Sequence, residues 1–174
     1  MKSILISIRP KWCELIACRK KTIEVRKTRP KLESPFKCYI YETKGFERVG
    51  NENLCCTIGG KGHGAIIGEF VCDAIYEIKN VGNAFKVGKT EAETNNVAYA
   101  SCLDFTDMHD YLGHKGGYGW HISDLKIYDQ PKKLSEFLTF VKCHRGNDRE
   151  NCSGCWDCEI KRPPQSWCYV EDMK

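Results

Sequence analysis

The sequence predicts an α+β protein, a small mixed β-barrel flanked by short helices, and three observations lead there. Segments that alternate apolar and polar residues outnumber those with helical spacing. The connections between them are irregular, punctuated by glycine and proline, and show no internal repeat. The chain has 174 residues, 41% hydrophobic and 29% charged, enough for a real core and too apolar for a disordered segment.

Ser3 to Ile8 is a β-rich opening that Arg9-Pro10 ends. Lys11 to Cys18 is amphipathic and reads as one or two helical turns. From Thr22 the period becomes two, so Thr22, Glu24 and Arg26 share one side of a strand and Ile23 and Val25 the other. Arg29-Pro30 and Ser34-Pro35 mark turns, and Phe36 to Lys44 alternates as a further strand. Residues 45 to 64 hold six glycines and read as a mobile insertion with a solvated His63. The Lys-Ser/Thr ending of a phosphate-binding loop is absent from it.

Ala65 to Ile78 is the most strongly β stretch, with Gly68 marking a bulge or bend. A polar stretch containing Gly82, Gly88, Asn95 and Asn96 follows as a connection. Asp104 has the chemistry of a helix N-cap, Met108, Tyr111 and Leu112 form an apolar stripe, and Gly113 stands at the stop. Gly116 to Ile122 turns into a strand that runs on to Tyr128, and Pro131 to Phe140 reads as a short helix.

The stretch Arg19 to Arg26 carries the chemistry. Thr22, Glu24 and Arg26 set a hydroxyl, a carboxylate and a guanidinium about 6–7 Å apart, with Lys21 just before them. Residues 19–31 contain seven Lys or Arg against one acid, Glu24, a local net of +6, while the whole chain carries +4. The remainder therefore sums to −2, and the basicity is a patch of the kind that meets nucleic acid or phosphate. The plainer reading is a solvated edge strand whose charges prevent aggregation.

No apolar run is long enough to span a membrane or to act as a secretion signal, so a cytoplasmic setting is expected. Twelve cysteines are then expected to be reduced. Seven lie scattered among apolar residues and are expected to pack as small hydrophobes. Five crowd the last 32 residues. There, Cys143, Cys152, Cys155 and Cys158 have short polar spacers that let four thiolates meet one structural zinc. His144 can replace Cys143, and Cys168 can be drawn in; an iron–sulfur cluster or a set of free thiols are the rival readings. The expected division is a barrel domain over 1–140 and a cysteine-rich tail over 141–174, whose Trp167 and Tyr169 dock on the barrel.

Four motifs in order resemble the ASCH family of the PUA-like superfamily. They are Ile6-Ser7-Ile8-Arg9-Pro10 with Trp12, the set Lys21, Glu24 and Arg26, then Gly68-Glu69-Phe70, and last Tyr118-Gly119-Trp120-His121-Ile122. Arg19 stands where the family pattern, Gly-x-Lys-x-x-Glu-x-Arg, has glycine. Glycine there suits a left-handed residue, which costs a non-glycine about 1 kcal/mol. The resemblance, over residues 3 to 140, implies a PUA-like barrel with a cleft lined by the Lys-Glu-Arg set and suited to RNA or a nucleotide. In that cleft Trp12 and Trp120 are candidates to stack on bases, or else to pack in the core. Glu24 is the candidate to accept from an exocyclic amine, and Lys20, Lys21, Arg26 and Lys27 to hold phosphate. A related branch resembles an amidohydrolase that deacylates N4-acylated cytidine with lysine, threonine and glutamate. Lys21 matches its lysine, but Glu24 stands where its threonine falls, leaving Thr22 as the substitute nucleophile. A nuclease is the other enzymatic alternative that the resemblance implies.

Overall fold

Ile4, Leu5 and Ile6 have no exposed surface, and together with Ile8 they make β1 (Lys2–Ile8) a strand buried on both faces. Such a strand reads as an apolar run rather than an alternation. The computed structural model describes residues 2–45, 62–82, 84–139 and 159–171. It divides into two compact units, the first made of Met1–Cys13, Lys37–Glu69 and Lys126–Lys174, the second of Glu14–Phe36 and Phe70–Leu125.

In the first unit β1 is flanked by β3 (Phe36–Glu42) and β9 (Trp167–Glu171), and with β4 (Ala65–Cys72) and β8 (Ser123–Lys132) they form a five-stranded sheet ordered β8-β4-β3-β1-β9. β1 runs parallel to β3, with Ile4 opposite Cys38, and antiparallel to β9, with Lys2 opposite Glu171. Residues 2–6 and 167–171, far apart in sequence, thus meet in one sheet. Leu5, Tyr39, Ile66, Phe137, Ile160 and Val170 form its core, with Tyr39 and Phe137 edge-to-face at 4.8 Å. The described part of the tail supplies Ile160 and the edge strand β9, where Trp167 and Tyr169 pack edge-to-face at 5.4 Å.

The second unit holds a four-stranded sheet ordered β2-β7-β5-β6: β2 (Ile23–Arg26), β7 (Gly117–His121), β5 (Ile75–Asn80) and β6 (Phe85–Val87). Ile23, Val25, Ile78, Phe85 and Val87 pack there with Val97 of α2 (Glu91–Ser101) and Met108 and Leu112 of α3 (Phe105–Leu112). α3 begins and ends where the sequence places it. The Asp104 carboxylate accepts from Asp107 N–H at 2.7 Å, and Gly113 takes φ 62° at the C-cap. α1 (Pro10–Ala17) likewise matches its amphipathic segment.

The α+β class is as expected, and among the described residues the strands are shared between two sheets rather than closed into one ring. Four elements differ from expectation. The strand expected from Gly116 on to Tyr128 divides at Ile122 into β7 and β8, because the two join different sheets. Ala65 to Ile78 is two strands, β4 (Ala65–Cys72) and β5, because the chain breaks at Asp73-Ala74 and the two join different sheets. Pro131 and Lys132 end β8 (Ser123–Lys132), and only one 3-10 turn follows, Leu134–Glu136. Phe137 is then extended and fully buried against Tyr39, so its burial overrides the helical spacing. The polar connection after Gly82 contains β6 and all of α2. Gly68 is a close approach: a Cβ there would meet the Lys126 carbonyl oxygen at 2.5 Å. His63 is exposed as expected, with Nδ1 2.5 Å from the Glu42 carboxylate. Most of the insertion, 46–61, lies outside the described residues.

Candidate nucleic-acid interface

Helix α1 ends in a tight turn that aims the next seven residues. Arg19 adopts φ 58°, the left-handed conformation for which the family pattern uses glycine. Its N–H donates to the Ile16 carbonyl at 2.8 Å, and those of Lys20 and Lys21 both donate to Leu15. The Arg19 guanidinium reaches the Leu125 carbonyl at 3.4 Å. From this turn the chain enters β2, tied to the end of α2 by Thr22 N–H donating to the Ala100 carbonyl at 2.8 Å.

Lys21, Glu24 and Arg26 do come together, but as a buried cluster rather than an open row. Their exposures are 2%, 6% and 6%. Lys21 Nζ lies 3.4 Å from Glu24 Oε2 and donates to the Ser101 carbonyl at 2.6 Å. Arg26 Nη2 lies 3.0 Å from Glu24 Oε1. Each carboxylate oxygen is thus held by one cation, and a carboxylate oxygen takes two donors. Removing one member would strand a buried charge, so loss of any one of the three is expected to be strongly destabilising.

Trp120, directly opposite Glu24 in the β2–β7 pair, has no exposed surface and packs edge-on against Phe36 at 5.9 Å. In this structure its ring is core. Trp12 is half-buried in the first unit, with Lys11 Nζ 4.5 Å above its ring. Lys20 and Lys27 are exposed, as are Arg19, Arg29 and Lys31, so five cations of the patch face solvent on the second unit. Lys27 Nζ sits 5.3 Å from the Tyr111 ring.

Thr22 lines a groove of about 700 Å³ in the second unit, and neither Lys21 nor Glu24 is among the residues lining it. Tyr76, Lys79, Lys86, Lys89 and His121 also line this groove, and none of them is among the residues the patch pointed to. The signal that could have found it is the capping box Thr90-Glu91-Ala92-Glu93, which starts α2 and with it one groove wall. At its rim His121 Nδ1 is 2.6 Å from Asp73 Oδ1. Burial pushes the Asp73 carboxyl up, but hydrogen bonds from His121 and Ser123 and the His121 charge outweigh it and hold the pKa below its ordinary value. Burial, with the Asp73 charge added, pushes the neighbouring Cys72 thiol up to about 12, and burial takes Cys168 to about 11, so both stay protonated thiols. Cys13, Cys38 and Cys72 are buried thiols outside any disulfide, while Cys18 is exposed.

Cys143, Cys152, Cys155 and Cys158 lie outside the described residues, and so does His144. Among the described residues no group of three or more His, Cys, Asp or Glu is placed to hold a metal. No described helix is long and apolar enough to cross a membrane.

No protein-family model matches the sequence, and no curated protein matches it. Solved structures do resemble its fold. An ASCH crystal structure from Zymomonas mobilis is 18% identical, with a TM-score of 0.58 over 97% of this chain and 87% of that one. Two variants of that Zymomonas protein, a tyrosine-to-phenylalanine and a serine-to-alanine mutant, each give a TM-score of 0.57 at 17% and 18% identity, over 98% and 97% of this chain and 91% and 88% of theirs.

Proposed function

We propose, for a chain that has the ASCH fold, that it is an RNA-binding module which takes the phosphate backbone on the exposed cations around β2. One observation carries this reading: Arg19, Lys20, Lys27, Arg29 and Lys31 all face solvent on a segment whose course is fixed by the buried Lys21-Glu24-Arg26 cluster. A strand fixed between exposed cations holds them in register with a polyanion at little ordering cost. Glu24 is the group proposed to read a base. Lys21 and Arg26 orient its carboxylate and occupy one acceptor position on each oxygen, leaving positions for an exocyclic amine.

Anisotropy titrations of single-stranded RNA against salt test the reading. Binding at low salt is expected, with its logarithm falling linearly with the logarithm of salt. The double variant Lys20→Ala/Lys27→Ala should weaken binding and flatten the slope by roughly 0.7 for each phosphate that is no longer neutralised. Glu24→Gln should change base preference, read on protein that circular dichroism shows to be folded, since the change strands the buried Lys21 and Arg26 charges. A protein that binds no RNA at low salt overturns the proposal. The hydrolase alternative draws on Lys21, Thr22 and Glu24, and turnover of an acylated nucleoside that disappears in Thr22→Ala would favour it instead.

In the tail we propose one structural zinc held by Cys143, Cys152, Cys155 and Cys158. Support comes from the spacing and from the shortage of large apolar residues between 143 and 158.

A further inference from the structure

The groove of the second unit has a composition that the basic patch does not share. Part of its lining is apolar: Ile23 and Val97 from the core, Ile75 and Val87 from β5 and β6, and Ala100 from α2. On this surface stands Tyr76, 38% exposed, an aromatic ring open enough to solvent to meet a flat group. Along the same groove are Lys79, Lys86 and Lys89.

The acids in the lining leave two of these lysines, Lys86 and Lys89, without a partner carboxylate among the described residues. Glu77 is engaged by Lys79 at 3.4 Å. Glu93 is turned into the start of α2, where one carboxylate oxygen accepts from Lys89 N–H at 2.7 Å and Thr90 N–H at 2.9 Å. Lys86 and Lys89 have no ion-pair partner among the described residues. Lys86 also sits directly opposite Lys79 in the β5–β6 pair. Like charges placed opposite one another destabilise a sheet by a few tenths of a kcal/mol or more, unless an anion lies between them. At about 700 Å³ the groove falls in the size range of small-molecule sites.

From this combination we infer that the groove is a binding site for a phosphorylated nucleoside, separate from the basic patch. The base lies on Tyr76 and the apolar floor, and the phosphate lies against Lys86 and Lys89. Thr22, Asn96 and the imidazole of His121, oriented by Asp73, are the polar groups available to the sugar and the base edge. The occupant is either a free mononucleotide or the phosphorylated end of an RNA, which present the same chemistry. The inference stands on the groove alone and does not need the patch to bind RNA.

The test is a titration of the full chain, followed by amide chemical shifts, with each of the four 5′-mononucleotides, with adenosine and with inorganic phosphate. At least one mononucleotide should saturate shifts at Tyr76, Lys86 and His121, and bind at least about tenfold more tightly than adenosine or phosphate alone. Lys86→Ala/Lys89→Ala should weaken that binding by about tenfold, and both side chains are exposed, so the fold should persist. Lys20→Ala/Lys27→Ala should leave it unchanged while weakening RNA. A 5′-phosphorylated oligonucleotide competing with the mononucleotide, where its unphosphorylated form does not, assigns the site to RNA ends; absence of competition assigns it to free nucleotide. No saturable shifts up to millimolar mononucleotide, or equal loss in the patch variant, overturns the inference.

Discussion

Arg19 is the residue at which this chain departs from the pattern it otherwise follows, and the departure has a measurable consequence. Its backbone is left-handed at φ 58°, because the turn needs that conformation to bring Lys20 and Lys21 back onto the Leu15 carbonyl. A side chain there costs about 1 kcal/mol relative to glycine. The compensating guanidinium bond to Leu125 is long and exposed, and contributes little. Arg19→Gly is therefore expected to raise stability by up to about 1 kcal/mol, or about 2–4 °C in a thermal melt. A fall in Tm would show that the Leu125 hydrogen bond outweighs the strain. The same residue shows what sequence can and cannot supply. The left-handed turn follows from the position of Arg19 after a helix. That Lys21, Glu24 and Arg26 would turn inward does not, because a period of two separates two faces without saying which is covered.

At the scale of elements, α2 is the most informative. Its apolar content is low, and only Val97 and Ser101 are buried, so periodicity gives it no signature. What starts it is local chemistry. Thr90 Oγ accepts from Glu93 N–H at 3.2 Å, and the Glu93 carboxylate accepts from Thr90 N–H in return. Thr90→Ala is expected to cost about 1 kcal/mol, seen as a lower denaturation midpoint and faster amide exchange across 91–96. If the groove binds a nucleotide, the same change should weaken it, since Lys89 is positioned by this cap. The N–H groups of Lys89 and Thr90, then the Thr90 hydroxyl, hold the Glu93 carboxyl below its ordinary pKa. The cap's contribution is then present above the unfolded-state value and is lost as pH falls through the lowered folded-state value.

For the whole molecule, each unit is assembled from segments far apart in the chain, and residues 2–6 pair with 167–171. The stretch between them that carries the four tail cysteines is closed at its base by bridges from Leu138 to Glu159 and from Thr139 to Val170. The proposed zinc would order its own segment without having to hold the sheet together. One equivalent of zinc is expected by elemental analysis of protein purified without chelator. Stripping it should leave the β-sheet circular dichroism intact while proteolysis opens within 140–158. Less than about half an equivalent of zinc, with no iron, would make these free thiols.

By itself the sequence determined whatever rests on local chemistry: α1, α3 with its Asp104 and Gly113 caps, the opening strand β1, the strands at 23–26 and 36–42, and the basic character of 19–31. Propensity, capping and charge count act over a few residues and are written in those residues. Only the tertiary structure decided that Ala65 to Ile78 would divide between two sheets, that Phe137 would leave its helical spacing for a place beside Tyr39, and that Trp120 would be core. It also decided that Lys79, Lys86 and Lys89 would line one groove with Tyr76 and His121. These depend on what each face meets from a distant part of the chain, and burial free energy is decided by that partner rather than by the segment itself.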